Sequence, residues 1–194
     1  GNVAVWWQTR DGQKDIYART LPDVPRISVC TNPANQSDPD IAGNFIVWSD
    51  SRNGGYENAD IYAYDLALGQ ELSICTAPGI QQSPATSGRF VVWAELDDAM
   101  DSSTEIWALD RQTGSLMLVG GSGNRICELD IDGSIVVWKG IGGIFARDLL
   151  GGPQFAVCAE PGSKRTPAID GNLVVWTDYR NGNADIYGAY IPEP

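Results

Sequence analysis

Five times along the chain a glycine is followed five residues later by a tryptophan, with mostly β-branched or apolar residues between them. The copies are Gly1-Asn2-Val3-Ala4-Val5-Trp6, Gly43-Asn44-Phe45-Ile46-Val47-Trp48, Gly88-Arg89-Phe90-Val91-Val92-Trp93, Gly133-Ser134-Ile135-Val136-Val137-Trp138 and Gly171-Asn172-Leu173-Val174-Val175-Trp176, with successive glycines 42, 45, 45 and 38 residues apart. Self-similarity at a period of about 20 to 50 residues marks a stacked or radial array of one supersecondary unit, so the repeat decides the fold before any single motif is weighed.

Each tryptophan is followed by a polar loop and a second apolar segment: Asp15-Ile16-Tyr17-Ala18, Asp60-Ile61-Tyr62-Ala63, Glu105-Ile106-Trp107-Ala108, Gly143-Ile144-Phe145-Ala146 and Asp185-Ile186-Tyr187-Gly188. A third segment carries Cys30, Cys75 or Cys158 in three repeats. A short fourth, such as Pro39-Asp40-Ile41-Ala42 or Pro167-Ala168-Ile169-Asp170, runs into the next glycine. β-Branched and aromatic residues fill these segments, and Gly, Asn, Asp and Pro fill the gaps, which is the signature of strands and turns. Asn53-Gly54 and Asn181-Gly182 supply residues that accept positive φ, so the tryptophan strand and its successor should form hairpins there. The unit is therefore predicted to be a four-stranded antiparallel meander.

The tryptophan strands are apolar on both faces, so each sheet must be covered on both sides by a neighbour. Sheets packed face to face about an axis satisfy this and leave only short edges. The predicted fold is thus all-β: a five-bladed β-propeller of four-stranded antiparallel blades, one domain over 1–194, with repeats at about 1–42, 43–87, 88–132, 133–170 and 171–194. The short fourth segment should be the innermost strand of the following blade. On that count the first blade lacks its innermost strand and the last its outermost, so the terminal blades are expected to be incomplete. A closed five-bladed ring is the favoured expectation, and a fragment of a larger propeller the alternative. Each shared tryptophan should wedge between blades, while Trp7 and Trp107, off the shared position, are freer to be exposed. Ile191-Pro192-Glu193-Pro194 reads as a domain boundary, because prolines cannot donate to a ladder.

Composition narrows function. The 194 residues carry a net charge of −12 and no histidine. Such a field repels phosphate backbones and anionic headgroups, which speaks against nucleic-acid and membrane-surface partners. Lack of histidine removes the commonest general base and metal ligand. No apolar run approaches the roughly 20 residues of a membrane-spanning helix. The four cysteines, 30, 75, 127 and 158, form no C-x-x-C pair, so zinc or redox work is not indicated. Three of them occupy the same place in different repeats, too far apart to cross-link. Free thiols acting as small apolar side chains are expected, with Cys127 in a different setting.

The residues Gly43-Asn44-Phe45-Ile46-Val47-Trp48-Ser49-Asp50-Ser51-Arg52-Asn53-Gly54 with Asp60-Ile61-Tyr62-Ala63-Tyr64-Asp65-Leu66, and Val174-Val175-Trp176-Thr177-Asp178-Tyr179-Arg180-Asn181-Gly182-Asn183 with Ala184-Asp185-Ile186-Tyr187, resemble the TolB-type β-propeller repeat in the form found in bacterial and archaeal surface proteins. The resemblance covers nearly the whole chain. It implies a secreted, periplasmic or cell-surface module, not an enzyme, that binds protein or surface polysaccharide through its loop face. Fold does not fix function. Repeats one, three and four depart from the pattern at Gln8-Thr9-Arg10-Asp11-Gly12, at the longer acidic loop over 94–104 and at the short Lys139-Gly140-Ile141-Gly142.

The recurring acids Asp15, Asp60 and Asp185, and Asp50 and Asp178 before Arg52 and Arg180, are expected to cap turns and pair locally, because a catalytic residue is normally unique whereas these repeat. The one non-repeated acidic cluster, Glu95, Asp97, Asp98 and Asp101 with Glu105 nearby, is the candidate metal site; clustered carboxylates suit calcium, which takes six to eight oxygen ligands. No other cofactor is indicated. The competing function is a glycoside hydrolase or lyase with funnel carboxylates. Only Asp130, Asp132 and Asp170 on innermost strands are placed for that, and such a pair would have to converge to about 5 to 10 Å.

Overall fold

The computed structural model describes residues 2–22, 24–96, 104–123 and 128–191. They form five antiparallel sheets in chain order. Sheet I holds β1 (Val3–Arg10), β2 (Gln13–Thr20) and β3 (Ile27–Cys30). Sheet II holds β4 (Gln36–Ala42), β5 (Phe45–Asp50), β6 (Asp60–Asp65) and β7 (Gln70–Cys75). Sheet III holds β8 (Ile80–Thr86), β9 (Phe90–Leu96), β10 (Thr104–Asp110) and β11 (Ser115–Gly121). Sheet IV holds β12 (Leu129–Asp132), β13 (Ile135–Gly140), β14 (Gly143–Asp148) and β15 (Phe155–Cys158). Sheet V holds β16 (Lys164–Asp170), β17 (Leu173–Asp178) and β18 (Asp185–Tyr190). Sheets I and V have three strands, lacking the first and the fourth respectively, as the repeat count requires.

Within every sheet the tryptophan strand pairs with the next strand in one register: Trp6 opposite Tyr17, Trp48 opposite Tyr62, Trp93 opposite Trp107, Trp138 opposite Phe145 and Trp176 opposite Tyr187. Period-two alternation then sends Ile46 and Trp48 to one face and Phe45 and Val47 to the other. The first face meets the preceding sheet: Trp48 packs with Ile16, Ala18, Val29 and Cys30 of sheet I. The second meets the following sheet, where Phe45, Val47, Ile61 and Ala63 enclose Trp93. Trp138 and Trp176 repeat the arrangement between sheets III and IV and between IV and V. Burying an indole removes about 150 to 250 Å² from water. At roughly 25 cal/mol per Å² that contributes several kcal/mol at each junction.

β4, β8, β12 and β16 lie against one another in succession and so line the axis. Three of them carry the same defect: Asp38, Ser83 and Thr166 have φ of 51°, 52° and 47°, each directly before a proline, and the register with the tryptophan strand slips there. A bulge is where a strand can hold a proline without losing a ladder bond, so the Asp-Pro, Ser-Pro and Thr-Pro pairs are compatible with an inner strand. The outer strands slip at one shared place too, next to Ile16, Ile61, Ile106 and Ile144.

Four apolar clusters fill the four junctions I–II, II–III, III–IV and IV–V. Among the described residues no packing of comparable extent joins sheet V to sheet I, so the closed ring expected from the repeats is not what the packing shows. The outer faces agree: Trp6 is only partly buried where its four counterparts are fully so, and Ile186 on sheet V is 76% exposed where Ile61, Ile106 and Ile144 are at 0%.

Candidate binding face

Antiparallel order puts the connections between second and third strands at the same end of the molecule as the crossovers from one sheet to the next. That end carries the irregular loops, and one network anchors them. In sheet II, Trp48 Nε1 donates to Asp50 Oδ2 at 3.0 Å, the Arg52 backbone N–H donates to Asp50 Oδ1 at 3.0 Å, and Arg52 Nη2 donates to Asp50 Oδ2 at 2.6 Å. Arg52 also reaches Glu71 Oε1 at 2.6 Å and lies 3.9 Å above the Tyr62 ring. Sheet V repeats this: Trp176 Nε1 to Asp178 at 3.1 Å, Arg180 N–H to Asp178 at 2.9 Å, Arg180 Nη2 to Asp178 at 2.5 Å, with the guanidinium over Tyr187. The expected turn-capping and Asp–Arg pairing are thus present in both repeats.

The cysteines join this network from the neighbouring sheet. Cys30 of sheet I lies 3.1 Å from Arg52 Nη2, and Cys158 of sheet IV lies 3.4 Å from Arg180 Nη2. Cys30, Cys75 and Cys158 are free thiols opposite Ile16, Ile61 and Ile144, so they do share one strand position; Cys127 lies outside the described residues. Burial, with the nearby Asp50 charge, pushes the Cys30 thiol up to about 12, which makes it a poor nucleophile. The Arg180 contact holds the Asp178 carboxyl well below the usual range, with Trp176 and Lys164 adding to it. Asp178 is thereby held as an anion inside the scaffold.

Sheets III and IV depart from the network. Glu95 stands where Asp50 stands in sheet II and accepts from Trp93 Nε1 at 3.4 Å, so this member of the candidate calcium cluster is a tryptophan partner at a repeat position. Asp97, Asp98 and Asp101 lie outside the described residues, among which no group of three or more metal-binding side chains converges. In sheet IV the position is Gly140, and a Cβ there would meet Phe145 at 2.7 Å. The missing side chain lets Phe145 stack on Trp138, ring centroids 6.1 Å apart.

The inner-strand acids are also occupied. Asp130 Oδ2 accepts the Ile169 N–H at 2.9 Å, Asp132 Oδ2 the Gly171 N–H at 2.8 Å and Glu128 Oε2 the Thr166 N–H at 2.8 Å, so sheet IV grips the inner edge of sheet V with three carboxylates. Asp40 does the same to Thr86 at 2.7 Å. Burial, with Asp40 and Asp132 nearby, raises Asp130. Asp170, the repeat-mate of Asp132 on the last sheet, is exposed. Of the three funnel candidates, then, two serve as inter-sheet acceptors.

No protein-family model matches the sequence, and a search of curated proteins finds no match. Among solved structures the chain is similar to TolB from Acinetobacter baumannii, with a TM-score of 0.69 at 16% identity over 92% of this chain and 46% of that one. The fold is a TolB-like β-propeller. A chain of the nidogen–laminin complex gives 0.65 at 13% identity over 94% and 70%, and an oligogalacturonate lyase solved with manganese gives 0.65 at 13% over 93% and 55%. The chain spans about half the length of the TolB structures it matches.

On this TolB-like propeller the loop end carries apolar side chains that the sequence reading did not single out: Tyr56, Ile141 and Tyr179, in the second-to-third-strand loops of sheets II, IV and V, are all exposed. Ile141 caps the two-residue turn that shortens sheet IV. Beside it opens a cleft of about 290 Å³ lined by Gly123, Lys139, Ser163 and Lys164. On its other side a cleft of about 450 Å³ is lined by Glu105, Leu118, Phe145 and Gln154. Trp7 is 45% exposed, under the Lys14 ammonium at 4.4 Å, as its off-repeat position suggested. Trp107 is not: it packs half-buried against the II–III junction. What could have flagged the loop residues is their failure to recur, since Tyr56, Ile141 and Tyr179 have no counterparts among the shared positions.

Proposed function

We propose that this propeller is a non-catalytic interaction module acting outside the cytoplasm, and that its loop end binds a protein, with a surface polysaccharide as the second ligand class. Its sheets are blades, five in this chain, and the loops at one end present the recognition face. The observation that carries the reading is the state of the acids. Asp50, Asp178, Asp130 and Asp132 are each held by arginine or by backbone N–H groups, whereas Tyr56, Ile141 and Tyr179 stand exposed in the loops at this end. Such side chains on a rigid scaffold are what protein interfaces use as anchors. Protein partners are also in keeping with the nidogen–laminin neighbour, and no described helix is long and apolar enough to cross a membrane.

The test has two arms. Incubation with oligogalacturonate and a set of neutral and acidic glycans, read by product chromatography, should give no turnover; cleavage that disappears in Asp130→Asn would make the protein an enzyme of the funnel type. Binding of those glycans, and of proteins from the extracytoplasmic fraction, to the immobilised chain should weaken about tenfold or more in Tyr56→Ala with Ile141→Asp. A partner retained in full by that double variant would remove the loop end from the interface.

A further inference from the structure

Sheet IV has dropped the clamp that sheets II and V share. Its second and third strands are joined by Ile141 and Gly142 alone, where loops 51–59 and 179–184 join them in sheets II and V, and Gly140 stands at the position of Asp50 and Asp178. The cleft of about 290 Å³ opens where that acid and most of that loop are missing, between the crossovers that enter and leave the sheet. Its charge is unlike that of the rest of the molecule. The chain has a net charge of −12 and three lysines, yet Lys139 and Lys164 both line this cleft, and no acidic side chain lines it among the described residues. Lys139 is half-buried, and its ammonium makes no ion pair among the described residues. Lys164 is 2% exposed and donates to the carbonyls of Glu160 and Gly162, which holds the crossover between sheets IV and V. In sheet II the same work is done without charge: Gln36, at the matching place, donates to the carbonyls of Asn32 at 3.3 Å and Ala34 at 2.8 Å. Asp178, 3.8 Å from Lys164, is already held by Arg180. The lysine thus brings a positive charge that the crossover does not need.

We propose that this cleft takes the carboxylate of a protein partner's acidic side chain, and that the apolar cleft across Ile141 takes the residue next to it. The recognised unit is then an acidic residue beside an aromatic or aliphatic one, and the proposal rests on the loop end being the recognition face. Ile141 is the shared wall. It lines both clefts together with Gly123, and lies so close on that glycine that a Cβ there would collide with Ile141 Cδ1. The second cleft, of about 450 Å³, offers Leu118 and Phe145. The acid that lines it, Glu105, accepts the Trp107 Nε1–H at 3.0 Å and repels a second carboxylate, so the ligand's charge is directed to the lysine side. Hydrogen bonds from an ammonium to a carboxylate are among the stronger polar contacts. A protein is favoured over an acidic glycan because the apolar half of the pair has a use only for a ligand with an apolar side chain.

Titration of the isotope-labelled chain with blocked tetrapeptides, followed by amide chemical shifts, reads the site directly. Gly-Phe-Glu-Gly and Gly-Glu-Phe-Gly cover both orders. The better of them should bind with a dissociation constant of about 1 mM or lower, shift Gly123, Gly142 and Ser163, and weaken about tenfold when its Glu is replaced by Gln. Lys164→Gln restores the arrangement of Gln36, removing the charge while keeping a donor for the crossover. Lys139→Gln removes the other charge at a half-buried position. Each should cut the preference for Glu over Gln at least about threefold, and the double variant should abolish it. Equal binding of the acidic and neutral peptides, binding of neither, or a preference that survives the double variant overturns the proposal. So does digalacturonate binding more tightly than the peptide at the same residues, the outcome expected of an acidic-glycan site. A protein partner that is lost in Tyr56→Ala with Ile141→Asp but retained in Lys139→Gln with Lys164→Gln would sink the carboxylate site and leave the loop-end reading standing.

Discussion

Sheets II and V share nearly the same residues in the same places: tryptophan over aspartate, arginine clamped to it, asparagine on the tyrosine of the next strand. Yet Ile61 is fully buried and Ile186 is 76% exposed. The difference lies in the neighbours. Sheet II has a sheet on each face, and sheet V has one on a single face. In a repeat array, sequence specifies the local sheet, whereas burial, and with it most of the hydrophobic stabilisation, belongs to the junction. Identical side chains are therefore expected to differ several-fold in what their removal costs.

The largest contrast should come from the tryptophans. Trp48→Ala removes a wedge from a filled junction and should cost about 3 to 5 kcal/mol, read as the free energy from urea unfolding. Trp6→Ala, in sheet I, should cost less than half of that. Equal losses would mean that something covers Trp6 in solution and would break the comparison. Next in size are the isoleucines. Ile61→Ala should cost about 2 to 5 kcal/mol, while Ile186→Ala, measured at low protein concentration, should stay within roughly 0.5 kcal/mol of wild type. Concentration dependence of the second value alone would point to docking on that face. Smaller still is the clamp: Asp50→Ala leaves the partly buried Arg52 with Glu71 as its charged partner, beside Cys30 and the Tyr62 ring, and should cost about 2 kcal/mol, short of the roughly 3 to 5 of a fully orphaned buried charge.

These contrasts also mark what the sequence could reveal. Strand positions, the antiparallel meander, the wedge role of four tryptophans, the Asp50–Arg52 and Asp178–Arg180 pairs and the shared place of Cys30, Cys75 and Cys158 were all legible, because each follows from a local pattern repeated in phase. What escaped the reading lies between sheets. Cys30 completes the Arg52 site from 22 positions away, and Asp130 grips Ile169 across 39; no periodicity announces a partner in the next repeat. Glu95 looked like part of a non-repeated acidic loop because the extra length after it disguised its equivalence to Asp50, which only the pairing of β9 with β10 makes plain. The bulges before Pro39, Pro84 and Pro167 were hidden for a related reason: the prolines recur visibly, but the left-handed residue ahead of each is Asp, Ser and Thr in turn.

The smallest effect sharpens the comparison at the opposite end of the sheets. Where sheet V has the exposed Tyr190, sheet III has Asp110, paired with Arg89 at 2.7 Å and accepting the Gln112 N–H at 2.9 Å. The Arg89 contact, helped by that backbone N–H, lowers the Asp110 carboxyl to about 2, below an ordinary value of 3.8. A depressed carboxylate contributes stability that is present above its unfolded value and lost as pH falls through the folded one. The contribution should therefore hold at pH 5 and above and fade between about pH 4 and 2. Arg89→Met removes the partner on an open surface, so the loss should be modest. Urea midpoints of the variant and the wild type should differ by a constant amount at neutral pH and converge as pH drops to about 2. A gap that persists there would assign Arg89 a packing role over the Phe90 ring, 4.9 Å beneath its guanidinium, in place of the charge pair.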